Sequence, residues 1–342
     1  MIALRPIRVL GGGLAGLSLG IGLRRAGVPV EIFESGDYPR HRVCGEFVTG
    51  LSDATMQELG ISAAFVPAGA HRRVTWYLRG RAVGRQELPV AARAISRYCL
   101  DARLAGMFVN VGGVLATNTR VPTSALGEGW VNAAGRKPVG SSAWLGLKLH
   151  ARNLPSAEGL EVHLGDGAYV GLSTVEDGWT NVCGLFRRRA GLLFERERAV
   201  PAYLRASGLG QLADRLGTAE IRAGSPSAVA GLTFDRRIKA EDGVLVGDVG
   251  AMIPPFTGNG MAMAFRGAAL ALDPLVAWAR GEVPWVRAGR LIRARLSREF
   301  QPRLRGAALL HPFFLNRTLQ RGLGAAAGTG LLPMNSLYRW LH

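Results

Sequence analysis

An α/β fold is predicted by three stretches of the chain. Residues 7–34 read as strand, glycine turn, helix and second strand. Residues 72–90 and 143–186 break into short alternating runs separated by turn signals, the pattern of antiparallel strands. From residue 261 onward apolar residues recur at helical spacing.

The first stretch carries the most chemistry. Ile7 to Leu10 is an apolar strand, and Gly11, Gly13 and Gly16 follow as G-x-G-x-x-G with Leu14 and Ala15 inside the motif. In a βαβ unit the first glycine allows a tight turn, the second lets a pyrophosphate approach the backbone, and the third lets helix and strand pack closely. Leu14, Leu17, Leu19, Ile21 and Leu23 make a mostly apolar helix, Gly27 stops it, and Val28 to Phe33 is a second strand ending in Glu34. A carboxylate there accepts ribose hydroxyls and repels a 2′-phosphate, which favours FAD or NAD over NADP. The uncharged run Val9–Leu23 also resembles a signal peptide or anchor, but it is too short to span a bilayer and is rich in glycine.

The loop SGDYPRHRVCGEF comes next, then a helix candidate from Ser52 to Leu59. Residues 72–90 predict two strands with a turn near Arg79 to Arg81, and Ser96 is a capping residue for a helix running into Gly112 and Gly113. The segment WVNAAGRKP repeats the strand-then-glycine pattern. Residues 143–186 predict an antiparallel sheet, which together with residues 72–90 bears Trp76, Tyr77, Trp144, Tyr169, Trp179 and Phe186, and residues 192–220 an amphipathic helical stretch. A strand at Gly243 to Val246 leads through Gly247-Asp248 to an apolar helix from Met261 to Trp278, and helices around 284–310 and 313–340 end the sequence.

Composition limits the function classes. The 342 residues allow two to three domain-sized units, and 48% hydrophobic content supports a substantial core. The formal charge is +17, and of 42 basic residues only Lys137, Lys148 and Lys239 are lysine. The arginines are dispersed, and no helix-turn-helix, RNP or finger pattern accompanies them, so no nucleic-acid partner is expected. Residues 287–305 form a basic amphipathic segment suited to peripheral membrane contact. Cys44, Cys99 and Cys183 supply neither a disulfide framework nor a zinc spacing, which fits a reducing cytoplasm. His41, His71, His150, His163, His311 and His342 show no metal-binding spacing, and no metal is expected.

A second glycine site has its own logic. A carboxylate at Asp248, at a strand end, can accept hydrogen bonds from a polyol. Gly258, Asn259, Gly260 and Met261 open the following helix, whose N-terminal N–H groups and dipole favour negative charge in front of them.

GGGLAG with Glu34, the loop RHRVCGEF, the segment ISRYCLDARL and the stretch GDVGAMIPPFTGNGM, in this order, resemble the FAD-dependent oxidoreductases of the p-hydroxybenzoate hydroxylase fold, most closely the geranylgeranyl-reductase-like branch. The resemblance covers nearly the whole chain. It implies a non-covalent FAD whose ribityl chain is held by Asp248, with Arg97 contacting the cofactor. It also implies that Arg40 and Cys44-Gly45-Glu46 border the isoalloxazine, with Cys44 and Glu46 as catalytic candidates. The chain departs from the hydroxylases of this fold at two positions: Ala134-Gly135 replaces their Asp-Gly, and Ala251 stands where they tend to have His.

The expected architecture is therefore a discontinuous Rossmann-type FAD domain (1–71, 93–138 and 240–282), an inserted antiparallel β-sheet substrate domain (72–92 and 139–239) and a helical C-terminal part (283–342). The expected activity is reduction or dehydrogenation of a small apolar organic substrate, such as an isoprenoid, polyketide or aromatic intermediate. NAD(P)H or another external electron donor would supply reducing equivalents. The alternatives are flavin monooxygenation of such a substrate and a basic protein that binds membrane surfaces.

Overall fold

The computed structural model describes residues 4–140, 142–154, 159–192, 195–235, 237–238, 243–329 and Ser336. Lys239, His342, the boundary at 240 and the end of the helix expected over 313–340 lie outside the described residues.

The chain opens with β1 (Ile7–Leu10), α1 (Leu14–Arg25) and β2 (Val30–Phe33), and the two strands pair in parallel. Short β3 (Phe47–Val48) and α2 (Asp53–Leu59) follow, α2 being capped by the Ser52 hydroxyl, which accepts from the Thr55 N–H. A hairpin of β4 (Gly69–Leu78) and β5 (Arg81–Ala94) turns at Arg79 and Gly80, both with positive φ. Ser96 caps α3 (Arg97–Asn110) by accepting from the Cys99 N–H at 3.0 Å, and β6 (Val114–Ala116) and β7 (Trp130–Asn132) return to the first sheet.

Four antiparallel strands come next: β8 (Trp144–Arg152), β9 (Leu160–Gly165), β10 (Ala168–Thr174) and β11 (Thr180–Arg187). Helices α4 (Ala199–Ala206) and α5 (Gly210–Gly217) cover one face of this sheet, and β12 (Glu220–Ile221) and β13 (Ser227–Ala230) both pair with β8. The chain then re-enters the parallel sheet as β14 (Val244–Leu245) and ends in α6 (Gly260–Ala279), α7 (Trp285–Leu315) and α8 (Arg317–Gly328).

The parallel sheet has the order β14-β7-β1-β2-β6, so three separated segments build one nucleotide-type unit. The second sheet has the order β12-β8-β11-β10-β9-β4-β5-β3, with β13 beside β8. It is antiparallel except where β4 runs parallel to β9. It also reaches further into the N-terminal segment than expected, because β3 and Gly69 to His71 pair with β5.

The main core lies between the parallel sheet and α1, α3, α6 and α7. Gly20 of α1 allows the close approach: a methyl group there would meet Ile32 and Phe108 at 2.8 Å. α6 has the length and hydropathy of a membrane span, but most of it is buried inside the protein, as in a core helix.

The C-terminal helices differ from expectation in one respect. α7 continues to Leu315 instead of stopping near 310, with Pro302 and Pro312 carried inside it. Its apolar stripe, Ala288, Ile292, Leu296, Phe300 and Leu304, is buried in the main core. The face expected to lie on a membrane is thus occupied by α6 and its neighbours, which leaves arginines on the solvent side.

Candidate functional site

The C-terminal ends of β1, β7 and β14 lie side by side, since Asn132 is in register with both Leu10 and Leu245. The turns that follow them line a single cleft: Gly11, Gly13, Leu14 and Ala15 after β1, Ala133 to Gly135 after β7, and Gly247 and Asp248 after β14. Gly258, Gly260 and Met261 close one wall, and Arg42, Cys44, Phe47 and Arg97 another. Crevices at strand ends of this kind are where open α/β sheets bind ligands.

The glycines act differently from one another. Gly11 has φ +105°, and a methyl group there would lie 2.5 Å from the Ala133 carbonyl oxygen. One on Gly16 would lie 2.0 Å from the Gly11 carbonyl oxygen, so Gly16 serves the packing of turn on helix. Around Gly13 nothing lies within 4 Å, which leaves open space in front of the α1 N-terminus. Neither α1 nor α6 has a side-chain cap, although α2 and α3 do. Two helix N-termini with free N–H groups therefore open onto one cleft, as anion binding requires.

Glu34 is buried at one end of the cleft. Its carboxylate accepts from the Gly12 N–H at 2.9 Å, the Gly36 N–H at 3.0 Å, the Ser35 hydroxyl at 3.1 Å and Arg40 at 2.5 Å. Burial works against its charge, but Arg40 and Arg42 outweigh burial and hold the pKa below the usual carboxylate range. Arg40 thus sits at the Glu34 end and does not line the cleft, contrary to the expectation that it borders the redox ring. Arg42 lines the cleft instead, bridging Glu34 at 3.5 Å and buried Asp101 at 3.2 Å.

Arg97 lines the cleft while bound to Asp101 through two contacts of 2.7 Å. Burial disfavours its charge, but Asp101 more than compensates. Asp248, on the opposite wall, has its carboxyl pKa raised by burial, with Arg97 and Arg136 opposing the rise. The buried N-cap Asn259 lies behind the cleft, and its N–H donates to the Thr257 hydroxyl at 3.3 Å. Ala134 lines the cleft; Ala251 is buried beside it, where Met252 and Ile253 reach the wall.

Glu46 and Cys44, the two catalytic candidates, part company. Glu46 has φ +57° and turns away from the cleft into a fully buried polar cluster with Lys148, His150 at 2.6 Å and the Arg97 N–H at 2.9 Å. Through these three contacts it ties the loop to β8 and to the start of α3. Cys44 does line the cleft, but burial pushes its thiol pKa up, so it is a protonated wall residue. Asn181 pins the same loop by donating to the Cys44 and Gly45 carbonyls at 3.0 and 2.9 Å.

Sequence reasoning missed Lys148, His150, Asn181 and Arg42. A signal for the first two existed: a lysine and a histidine two apart share one face of the otherwise apolar strand β8. Among the described residues no group of His, Cys, Asp or Glu could hold a metal.

The expected sheet aromatics divide. Trp76 and Tyr169 pack toward α7, with ring centroids 6.0 and 5.8 Å from Phe314, and Trp144 lies 5.8 Å from His311. Phe186 faces the other side against Tyr203, Tyr77 stacks on His163, and Trp179 lies under Arg152.

No protein-family model and no curated sequence matches this chain. Solved structures do. The flavin-dependent brominase Bmp2 is similar over 98% of this chain and 92% of its own, with 15% identity and a TM-score of 0.76. HpxO of Klebsiella pneumoniae, complexed with FAD and uric acid, matches over 98% and 96% with 15% identity and a TM-score of 0.75. The p-nitrophenol 4-monooxygenase PnpA of Pseudomonas putida DLL-E4 matches over 100% and 97% with 11% identity and a TM-score of 0.75. At such identities the likeness establishes the architecture: a Rossmann-type domain assembled from separated segments, an antiparallel sheet inserted into it and a helical C-terminal part.

Proposed function

We propose that this chain is an FAD-dependent oxidoreductase that oxygenates a small organic molecule. The observation that carries the reading is the pair of uncapped helix N-termini, α1 and α6, facing one cleft with Asp248 between them. A dinucleotide fits this arrangement. The open space at Gly13 and the α1 N–H groups suit its pyrophosphate, Glu34 its adenosine ribose, and Asp248 its ribityl hydroxyls. The α6 N-terminus suits the negative end of a reduced flavin ring.

When bound, FAD supplies hydride acceptance and oxygen activation, and the protein supplies binding, orientation and a dry pocket. Arg97, fixed by Asp101, holds positive charge at the cleft wall. Cys44, Phe47 and Met252 narrow the cleft with weakly polar surface, limiting water near the reacting atoms. Oxygenation is favoured because the structural neighbours described above include a monooxygenase and a brominase. NAD(P)H is the external reductant this reading requires.

A second reading, reduction or dehydrogenation as in the geranylgeranyl-reductase-like branch, is favoured by Ala134 and Ala251 standing where hydroxylases carry Asp and His. Both readings require one acid-releasable FAD per chain and bleaching at 450 nm on reduction. Colourless protein that takes up no flavin would overturn both. Turnover of aromatic acids and apolar isoprenoids under labelled oxygen separates them by product mass: one labelled atom per product supports oxygenation, and an altered hydrogen count with no label supports the reductase.

A further inference from the structure

A second cavity, of about 590 Å³, opens where the end of β11 meets the junction of α7 and α8. Arg187, Arg188 and Arg189 enter it from the strand end and Arg317 from the first residue of α8, against a single acid, Asp166. Asp166 is already engaged by Arg189, at 3.6 Å to its carboxylate and 3.0 Å to its carbonyl. Among the described residues Arg187, Arg188 and Arg317 have no carboxylate partner. Unpaired guanidiniums gathered around one concavity repel each other, and a bound anion relieves that repulsion. Arg187, Arg188 and Arg317 are exposed, so an anion reaches them directly from solvent.

The rest of the lining is of another kind. Trp144, Leu315 and His311 form an apolar wall, and the buried Nε2 of His311 has no hydrogen-bond partner among the described residues. Burial lowers the His311 pKa to about 4, so the ring adds no charge to the wall near pH 7. His311 stacks on Phe256, with centroids 6.0 Å apart and planes 10° from parallel. Phe256 belongs to the turn Pro255–Thr257, and its neighbours Pro255 and Gly258 line the nucleotide cleft. The His311 and Phe256 rings therefore stand between the basic cavity and the cleft.

We propose that the basic cavity binds an organic anion at a site of its own: an aromatic or similarly flat apolar molecule carrying a carboxylate, sulfonate or phosphate, whose anion is held by Arg188 and Arg317 and whose body lies along Trp144 and Leu315. The volume falls in the range of about 300–1,000 Å³ usual for small-ligand pockets.

The probe is 8-anilinonaphthalene-1-sulfonate, which combines flat rings with one anion. Fluorescence titration of the folded protein is expected to show saturable binding of one probe per chain. The double variant R188S/R317S is expected to weaken it by roughly tenfold or more, since charge-assisted contacts are lost. The variant R298S/R305S, which removes two exposed arginines of α7, is expected to leave it unchanged. Neutral N-phenyl-1-naphthylamine should bind the wild type and R188S/R317S alike. Equal affinity of the anionic probe for the wild type and R188S/R317S, or binding that does not saturate, would overturn the proposal. Flavin retention, read from visible absorption in the same samples, reports on the cleft separately: its absence with the probe still bound removes the flavin reading and leaves an anion site.

Discussion

Lys148 and Glu46 form an ion pair in which neither side chain has any solvent exposure. The pair spans the two halves of the fold, joining β8 of the antiparallel sheet to the loop that lines the cleft. The same carboxylate also meets His150 Nε2 at 2.6 Å and accepts from the Arg97 N–H at 2.9 Å. Removing one partner of such a pair leaves the other buried and uncompensated, at a cost of about 3–5 kcal/mol. Lys148→Met should therefore lower urea stability by about 3 kcal/mol, and adding Glu46→Gln should recover part of the loss. A cost below about 1 kcal/mol for the single variant would show that the pair does not hold the loop.

Acid sensitivity should arise on the antiparallel sheet. Burial raises the Glu161 pKa, but His163 at 2.6 Å and Arg215 at 3.0 and 3.1 Å outweigh it and bring it from 4.5 to about 2. A depressed carboxyl contributes stability that is present above its unfolded pKa and lost as pH falls through its folded one. Guanidinium unfolding at a series of pH values should show wild-type stability declining between 4.5 and 2, with a flatter profile for Glu161→Gln.

His41 adds to this at milder pH. Burial, and then Lys148 and His150, lower its pKa from 6.5 to about 4. The unfolded chain takes up this proton first, so stability is present above 6.5 and falls as pH drops toward 4. His41→Phe should remove that part of the slope, and an unchanged profile would place the ring in solvent.

Two glycines of one motif should respond differently to alanine. Gly16→Ala sets a methyl group 2.0 Å from a backbone carbonyl that cannot move aside, and a loss of at least about 3 kcal/mol is expected in thermal or urea unfolding. Gly13→Ala meets nothing within 4 Å, so stability should be retained while the new methyl group enters the space in front of the α1 N-terminus and weakens flavin retention. Equal effects of the two changes on stability would contradict the division of labour.

Asp248→Ala tests the other end of the cleft. Its buried carboxyl has its pKa raised, and neutralising it should leave the fold intact. If the cleft holds FAD as proposed, with Asp248 accepting from the ribityl hydroxyls, the change should weaken FAD binding by roughly tenfold or more, measured as flavin released on ultrafiltration. Full retention would move the ribityl contact elsewhere.

The local elements were legible in the sequence because their causes are local. The strand at Ile7, the turn at Gly11, the Ser52 and Ser96 caps and the turn at Arg79-Gly80 each depend on a few adjacent residues. So did the cleft glycines and Asp248, whose spacing from a strand end places them wherever the strand goes. The end of α7 was less legible, because Pro302 and Pro312 argue locally for a break that burial of Phe300, Leu304 and Phe314 overrides.

Which charges meet was decided only by the tertiary structure. Arg40 and Arg42 are two residues apart, yet one closes on Glu34 alone and the other reaches Asp101 as well. Glu46 lies in a different segment from Lys148 and His150 of β8, and nothing local foretells that it joins them in one buried cluster. Local dihedral preference and hydrophobic period act over a few residues, so the sequence alone determined the element types and the glycine-bearing turns of the cleft. Burial of a charge depends on partners brought together by sheet pairing, so only the completed fold decided that Glu46 braces the cleft loop and that Arg42 faces the cleft.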